Sequence, residues 1–198
     1  MVGWIGDTPD KIHPHIYADA DFAGCTKTAR STSGVYLCLE GPDTRFPLQG
    51  QSKRQTCVSH STPEAEIVAA DFALRTIGIP ALSLWETILQ RQVTLTFHED
   101  NAAMIQVMTT GHNPTMRHLG RTHRVDVMWL HERFKDDWLS LVKEDTLSMA
   151  GDIFTRGFTS QDVWERVCRE INHVDPSHFW GANGIICSQG NGCSPGNP

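Results

Sequence analysis

YADADFAG, residues 17–24, is the stretch on which the reading of this chain turns. With His15 and Ile16 it extends a strand-like alternation, HIYADAD (15–21), and it carries Asp19 and Asp21 on one face of that strand. A carboxylate projecting near the middle of a sheet needs a reason to be there. Three more acids stand where elements end or begin: Glu66 in STPEAEIVAA (61–70), Asp100 in FHEDNAA (97–103) and Asp152 in MAGDIFTR (149–156). A single fold can gather all four. Four nearby negative charges repel one another and raise some of their pKa values. Two divalent cations held over a phosphodiester remove that conflict and give the cluster a purpose.

Working outward, SGVYLCLEG (33–41) predicts a second strand, with Val35, Leu37 and Leu39 on one side. GPDTRFP then punctuates a loop, and QTCVSHS (55–61) reads as a third strand, so that an antiparallel meander is expected within the first 60 residues. Thr62 is the expected N-cap of a helix with Pro63 at its first position, running to about Ile77. Gly78 and Pro80 either end it or link it to a second segment at 81–91. VTLTFHE (93–99) is the clearest strand, and DNAAMIQVMTTG reads as a short helix stopped at Gly111. A long amphipathic helix is expected over 121–136, a last strand over 138–144, a helix beginning at 148–155 and another at 160–174. The order βββαβαβα predicts a mixed sheet with helices against it. Residues 1–13 read as an irregular lead-in, 14–174 as one domain, and 175–198, rich in Gly, Asn, Ser and Pro, as a flexible tail.

An acid at a helix start is usually a cap or a partner of the helix dipole. Glu64 fits that ordinary role, and either Asp100 or Asn101 can cap the helix that follows. Asp21 rivals Asp19, and one sequence leaves open which face Glu66 takes. The case rests on four acids in suitable elements. Mg²⁺ prefers oxygen ligands in octahedral geometry and shares carboxylates with phosphate. In that scheme Asp19 bridges two ions, Glu66 and Asp100 hold one or both, and Asp152 completes the more labile site.

These stretches resemble the ribonuclease H domain of copia-type retrotransposon Pol polyproteins, part of the retroelement reverse transcriptase and ribonuclease H family. YADADFAG, STSGVYLCLEG, SKRQTCVSHSTPEAEIVAADFA, HEDNAAMIQ, RTHRVDVMWLHERF and MAGDIFTRGF occur in family order over roughly residues 14 to 160. The resemblance implies an α/β, ribonuclease-H-like fold: a five-stranded mixed sheet with helices on both faces. It implies hydrolysis of the RNA strand of an RNA–DNA hybrid during reverse transcription, with two Mg²⁺ ions (Mn²⁺ as substitute) and the reverse transcriptase region of the same element as partner. The family's acids match Asp19, Glu66, Asp100 and Asp152. Departures include Phe22 where tryptophan is usual, FPLQGQSKRQT in place of the usual approach to the basic pair, and Arg124 where the family has a histidine, with His123 beside it. No polymerase or integrase segment is legible here, so the chain reads as the terminal part of such an element. The alternative is a decayed remnant that binds nucleic acid or has no specific activity.

A formal charge of −6 argues against a broadly basic surface, although a local basic stripe can still track a phosphate backbone. Lys53 and Arg54, with Arg117, His118, Arg121, His123 and Arg124, are the candidate nucleic-acid contacts; His123 is also a candidate for proton transfer near the metals. Ser33 and Ser61 are expected to satisfy local backbone groups. Six cysteines without repeat suit a reducing compartment, with Cys25, Cys38 and Cys57 read as small buried hydrophobes. The spacings of Cys168, His173, His178, Cys187 and Cys193 match no compact zinc finger. No apolar run reads as approaching the roughly 18 residues that span a bilayer, and no secretory leader is legible, so an intracellular protein of cytoplasm or nucleus is expected.

Overall fold

β2 (His13–Asp21) and β3 (Thr32–Gly41) form the antiparallel pair at the heart of a six-stranded sheet of order β1-β4-β3-β2-β5-β6. The computed structural model describes residues 1–111 and 113–175, and the expected tail lies almost wholly outside them. β4 (Thr44–Arg54) continues the meander, while β5 (Leu95–Glu99) and β6 (Leu139–Lys143) run parallel to β2. A two-residue strand, β1 (Trp4–Ile5), pairs with β4 at Arg45 and Thr44 and adds a sixth strand to the five expected. The lead-in therefore carries a strand and a 3₁₀ turn (Pro9–Lys11) before β2 opens at His13.

The third strand is not QTCVSHS. It lies one segment earlier, because the turn at Pro42 and Asp43 is tight and TRFPLQGQSKR pairs along the whole of β3. Its outer edge meets only β1, and most of its residues are partly or fully exposed, so no apolar alternation marks it. Pro47 sits where the register shifts between Leu37 and Cys38, a place that tolerates a residue without an N–H.

α1 (Thr62–Ala73) is capped by Ser61, whose hydroxyl accepts from the Glu64 N–H; Thr62 is thus the first helical residue, not the cap. A π-turn (Leu74–Gly78) joins α1 to α2 (Ile79–Leu89) without a break. The combined run, 28 residues, is long and apolar enough by length and composition to cross a membrane, which corrects the expectation from sequence; 56% of its most apolar stretch is buried in the fold. It covers one sheet face, where Ile16, Ala18, Val35, Leu37, Leu95 and Phe97 pack with Ile67, Ala70, Leu74 and Met104 of the helices. α3 (Ala102–Thr110) completes this layer, capped by Asn101 and ended by Gly111 at φ 69. The long helix expected over 121–136 is two short ones, α4 (Leu119–Thr122) and α5 (Val127–Arg133). Arg124 takes the left-handed conformation at φ 59, and Asp126 starts α5 by accepting from the Met128 and Trp129 amides.

The opposite face packs Tyr17, Tyr36 and Cys38 against Met149, Ala150 and Ile171. Here the expected helix at 148–155 is a pair of 3₁₀ turns, Thr146–Ser148 and Ala150–Phe154, followed by α6 (Gln161–Glu170). The turn 150–154 lies too close to the sheet for a bulkier strand. A Cβ at Gly34 would stand 2.5 Å from the Gly151 carbonyl oxygen, so glycine is what lets the turn seat beside Asp19, the cross-strand partner of Gly34. Of the three cysteines read as buried, Cys38 is; Cys25 and Cys57 are half-exposed.

Candidate metal-binding cleft

Strand direction creates the site. β2 and β5 are parallel neighbours with Tyr17 opposite His98, so two residues further on Asp19 comes level with Asp100 at the carboxyl ends of both strands. α1 packs on the sheet face over β2 and β3 and brings Glu66 to the same place. One carboxylate oxygen from each of Asp19, Glu66 and Asp100 lies within 4.8 Å of the others. Asn101, not Asp100, caps α3, and this leaves the Asp100 carboxylate for the cluster.

The surroundings form a cleft of about 560 Å³ lined by Asp19, Asp21, Phe22, Glu66, Asp100, Asp152 and Arg156, among others. Asp152 shares the cleft but stands outside the three-carboxylate group. It is buried at 2% exposure, and its Oδ2 accepts from Arg156 at 2.9 Å. Thr155 Oγ1 lies 2.8 Å from Asp19 Oδ2 and 2.9 Å from the Asp152 carbonyl oxygen, tying the turn to the strand. Asp21 lines the rim and Phe22 is exposed beside it.

Electrostatics set the character of the cleft. Burial, then the Asp152 charge, pushes Asp19 up to about 7. Burial, then Glu99 and Asp19, pushes Glu66 up to about 11, against a weaker lowering effect from the Ala20 amide. Glu99 is a fifth carboxylate that the sequence reading passed over. It is fully buried, raised well above the ordinary range mainly by burial, and bonded through Oε1 to the Asn101 N–H. Its signal was parity, since Leu95, Phe97 and Glu99 share one side of β5. Glu66 Oε2 and Glu99 Oε2 are buried without a hydrogen-bond partner. An all-oxygen donor set with an orphaned buried oxygen and mutually raised carboxylates suits a hard divalent cation such as Mg²⁺ or Mn²⁺.

The remaining sequence-predicted residues lie elsewhere. His123 does not line this cleft; its buried ring stands 3.4 Å from Glu64 Oε1, while His118 lies 3.1 Å from the same oxygen. Glu64 is accordingly a buried hub that also accepts from the His60 N–H, more than a dipole partner. Lys53 and Arg54 are exposed at the end of β4, with Lys53 Nζ 4.3 Å from the Phe72 ring centroid. Arg121 and Arg124 are exposed in and after α4, and Arg124 with Arg117 borders a second hollow of about 460 Å³. Ser61 takes the local backbone role expected of it by accepting from the Glu64 N–H, whereas Ser33 accepts from the Gln55 side chain at Nε2, 22 residues away.

Fold and site together define a class: an α/β protein of ribonuclease-H-like architecture whose cleft gathers three carboxylates suited to a divalent cation. Among particular proteins, the chain is 27% identical over 157 residues to a retrovirus-related Pol polyprotein from transposon TNT 1-94 of Nicotiana tabacum. That match covers 78% of this chain and 11% of the polyprotein, so the chain spans about a tenth of that relative's length. No protein-family model matches. Similar solved structures include an LC11 ribonuclease H1 isolated from compost (13% identity, TM-score 0.49, covering 72% of this chain and 92% of that one). Ribonuclease H1 of Halobacterium salinarum is another (16%, 0.49, 72% and 94%), as is the LC11 enzyme in complex with an RNA/DNA hybrid (15%, 0.49, 72% and 93%). The fold assignment stands on the sheet order and strand directions described above.

Proposed function

We propose that this chain is a metal-dependent endonuclease that hydrolyses the RNA strand of RNA–DNA hybrids, as the ribonuclease H part of a copia-type retrotransposon Pol polyprotein. The observation that carries the reading is the meeting of Asp19, Glu66 and Asp100 within 4.8 Å in an open cleft that Asp152 also lines. The similarity to a transposon Pol polyprotein over 78% of the chain supports the element of origin, and the reverse transcriptase region of the same element is the partner proposed with it. The protein then acts inside the cell, where such hybrids are made.

In this reading Asp19, Glu66 and Asp100, together with Asp152 from the same cleft, would hold two Mg²⁺ ions. Bound cations of this kind activate a water and neutralise charge on the departing 3′ oxygen. The chain supplies the rest. Thr155 fixes the Asp19 carboxylate, and Asn101 caps α3 so that Asp100 stays free. RNA is distinguished by its 2′-hydroxyls in a shallow groove and not by base sequence, while the exposed Lys53, Arg54, Arg121 and Arg124 are the proposed phosphate-tracking residues outside the cleft; His123, its ring buried against Glu64, is not one of them.

The test is product chemistry on an end-labelled hybrid, with double-stranded RNA and double-stranded DNA as comparisons. The reading expects RNA fragments bearing 3′-hydroxyl and 5′-phosphate ends from the hybrid alone. Fragments with 2′,3′-cyclic phosphate, or equal cutting of all three duplexes, would overturn it.

A further inference from the structure

Arg156 is the one cation among the residues that line the carboxylate cleft, against Asp19, Asp21, Glu66, Asp100 and Asp152. Its guanidinium enters from the rim: the side chain is 46% exposed, whereas the Asp152 side chain it meets is 3% exposed. The contact is Nη2 to Asp152 Oδ2 at 2.9 Å, four residues back along the chain. The 3₁₀ turn thus presents an acid and its neutraliser together. Thr155 secures Asp19 and Arg156 secures Asp152, two adjacent residues each engaging one acid of the cleft.

Such a contact cannot persist unchanged once the cleft is loaded. A divalent cation drawn to Asp152 competes with the guanidinium for the same oxygen and repels it. A phosphate arriving with that cation offers Arg156 a better partner, because a guanidinium grips phosphate oxygens in a two-pronged geometry. The half-exposed side chain has the freedom to make that change without disturbing the core.

We propose that Arg156 is an exchangeable counter-ion. It holds Asp152 while the cleft is empty of cations, and it transfers to a phosphate oxygen of the nucleic-acid backbone when cation and substrate enter. The inference rests on the metal-dependent reading above and assigns Arg156 a positioning and substrate-gripping role within it.

Two effects of opposite sign follow from one substitution. Arg156→Gln removes the competitor, so Mn²⁺ or Ca²⁺ should bind the substrate-free protein about two- to fivefold more tightly, the scale of a half-exposed ion pair. The same variant should bind a fluorescent RNA–DNA hybrid in Ca²⁺ roughly tenfold more weakly, for loss of a charge-assisted phosphate contact. Arg156→Lys keeps the charge without the fork and should restore wild-type cation affinity while recovering only part of the hybrid affinity. Titration calorimetry with the cation alone and anisotropy with the hybrid read the two effects separately. A merely structural residue would weaken both affinities or neither, and either of those results overturns the proposal. Wild-type protein that takes up no cation would overturn the metal-dependent reading itself, whereas wild-type uptake that Arg156→Gln leaves unchanged overturns this inference alone.

Discussion

Replacing Glu66 by glutamine should stabilise the cation-free protein at neutral pH and leave it unresponsive to cations. Glu66 is 3% exposed, its ordinary value is 4.5, and the folded protein raises it to about 11, first by burial and then by Glu99 and Asp19. Between those values the folded chain keeps a proton that the unfolded chain releases, so this group makes stability fall as pH rises. Any folded value above 7 gives the same cost at pH 7. The interval from 4.5 to 7, at roughly 1.4 kcal/mol per pH unit, amounts to about 3 kcal/mol. Glutamine has the shape of the protonated acid and no such cost. Urea unfolding of wild type and Glu66→Gln in chelator, at pH 4 and pH 7, isolates the effect. The variant's stability relative to wild type should improve by about 3 kcal/mol between the two pH values, and added Mn²⁺ at pH 7 should then stabilise the wild type alone. A difference between the two proteins that does not change with pH would refute the reasoning, because it would mean Glu66 is ionised in the cation-free fold.

Other perturbations test neighbouring parts of the account. Asn101→Ala removes the side chain that accepts from the Ala103 and Met104 amides and should cost about 1 kcal/mol in unfolding free energy, measured by urea titration; cation affinity should fall with it if Asp100 is drawn into the vacated cap. Gly34→Ala drives a methyl against the Gly151 carbonyl oxygen and Thr155 Cγ2 at 2.5 and 2.6 Å, so stability should drop by about 1–3 kcal/mol. Because the turn it displaces carries Asp152, hybrid cleavage should suffer more than Mn²⁺ binding to the other three acids. Gly111→Ala meets a left-handed backbone at φ 69 and the His131 ring at 2.5 Å, and a lower melting temperature is expected with the cleft unaffected.

Where the sequence was legible, the reason was periodicity or end chemistry. HIYADAD, SGVYLCLEG and VTLTFHE showed their strands because each buries apolar residues, and Pro63, Gly111 and the Pro80 linkage announced helix ends or joints. β4 was illegible because a strand with Pro47 and Gly50, covered on its outer side by β1 at Thr44 and Arg45 alone, has little burial to print on its sequence, and the strand was placed in QTCVSHS instead. The break at Arg124 was hidden for a different reason: nothing in RTHRVDV departs from helical spacing, and only the Asp126 cap betrays a new start. Local motifs placed Asp19, Glu66 and Asp100 at the right element ends, but their meeting depends on the parallel pairing of β2 with β5, which no local pattern encodes. Glu99 and Arg156 belong to the same lesson. Both lie beside residues that were singled out, and it took the side to which β5 turns Glu99 to bury it close enough to feel the Asp19 and Asp100 charges, and the reach of Arg156 to bring that residue into the cleft.

The most direct test of the central claim is cleavage of an RNA–DNA hybrid, labelled on its RNA strand, by the purified chain in Mg²⁺ and in Mn²⁺, beside Asp100→Asn and a chelator control. RNA-strand cutting by the wild type is expected, abolished by chelator and reduced at least a hundredfold by Asp100→Asn, the scale on which a key electrostatic group acts. Folded wild-type protein that leaves the hybrid intact in both cations, or an Asp100→Asn variant that cuts as well as wild type, would contradict it.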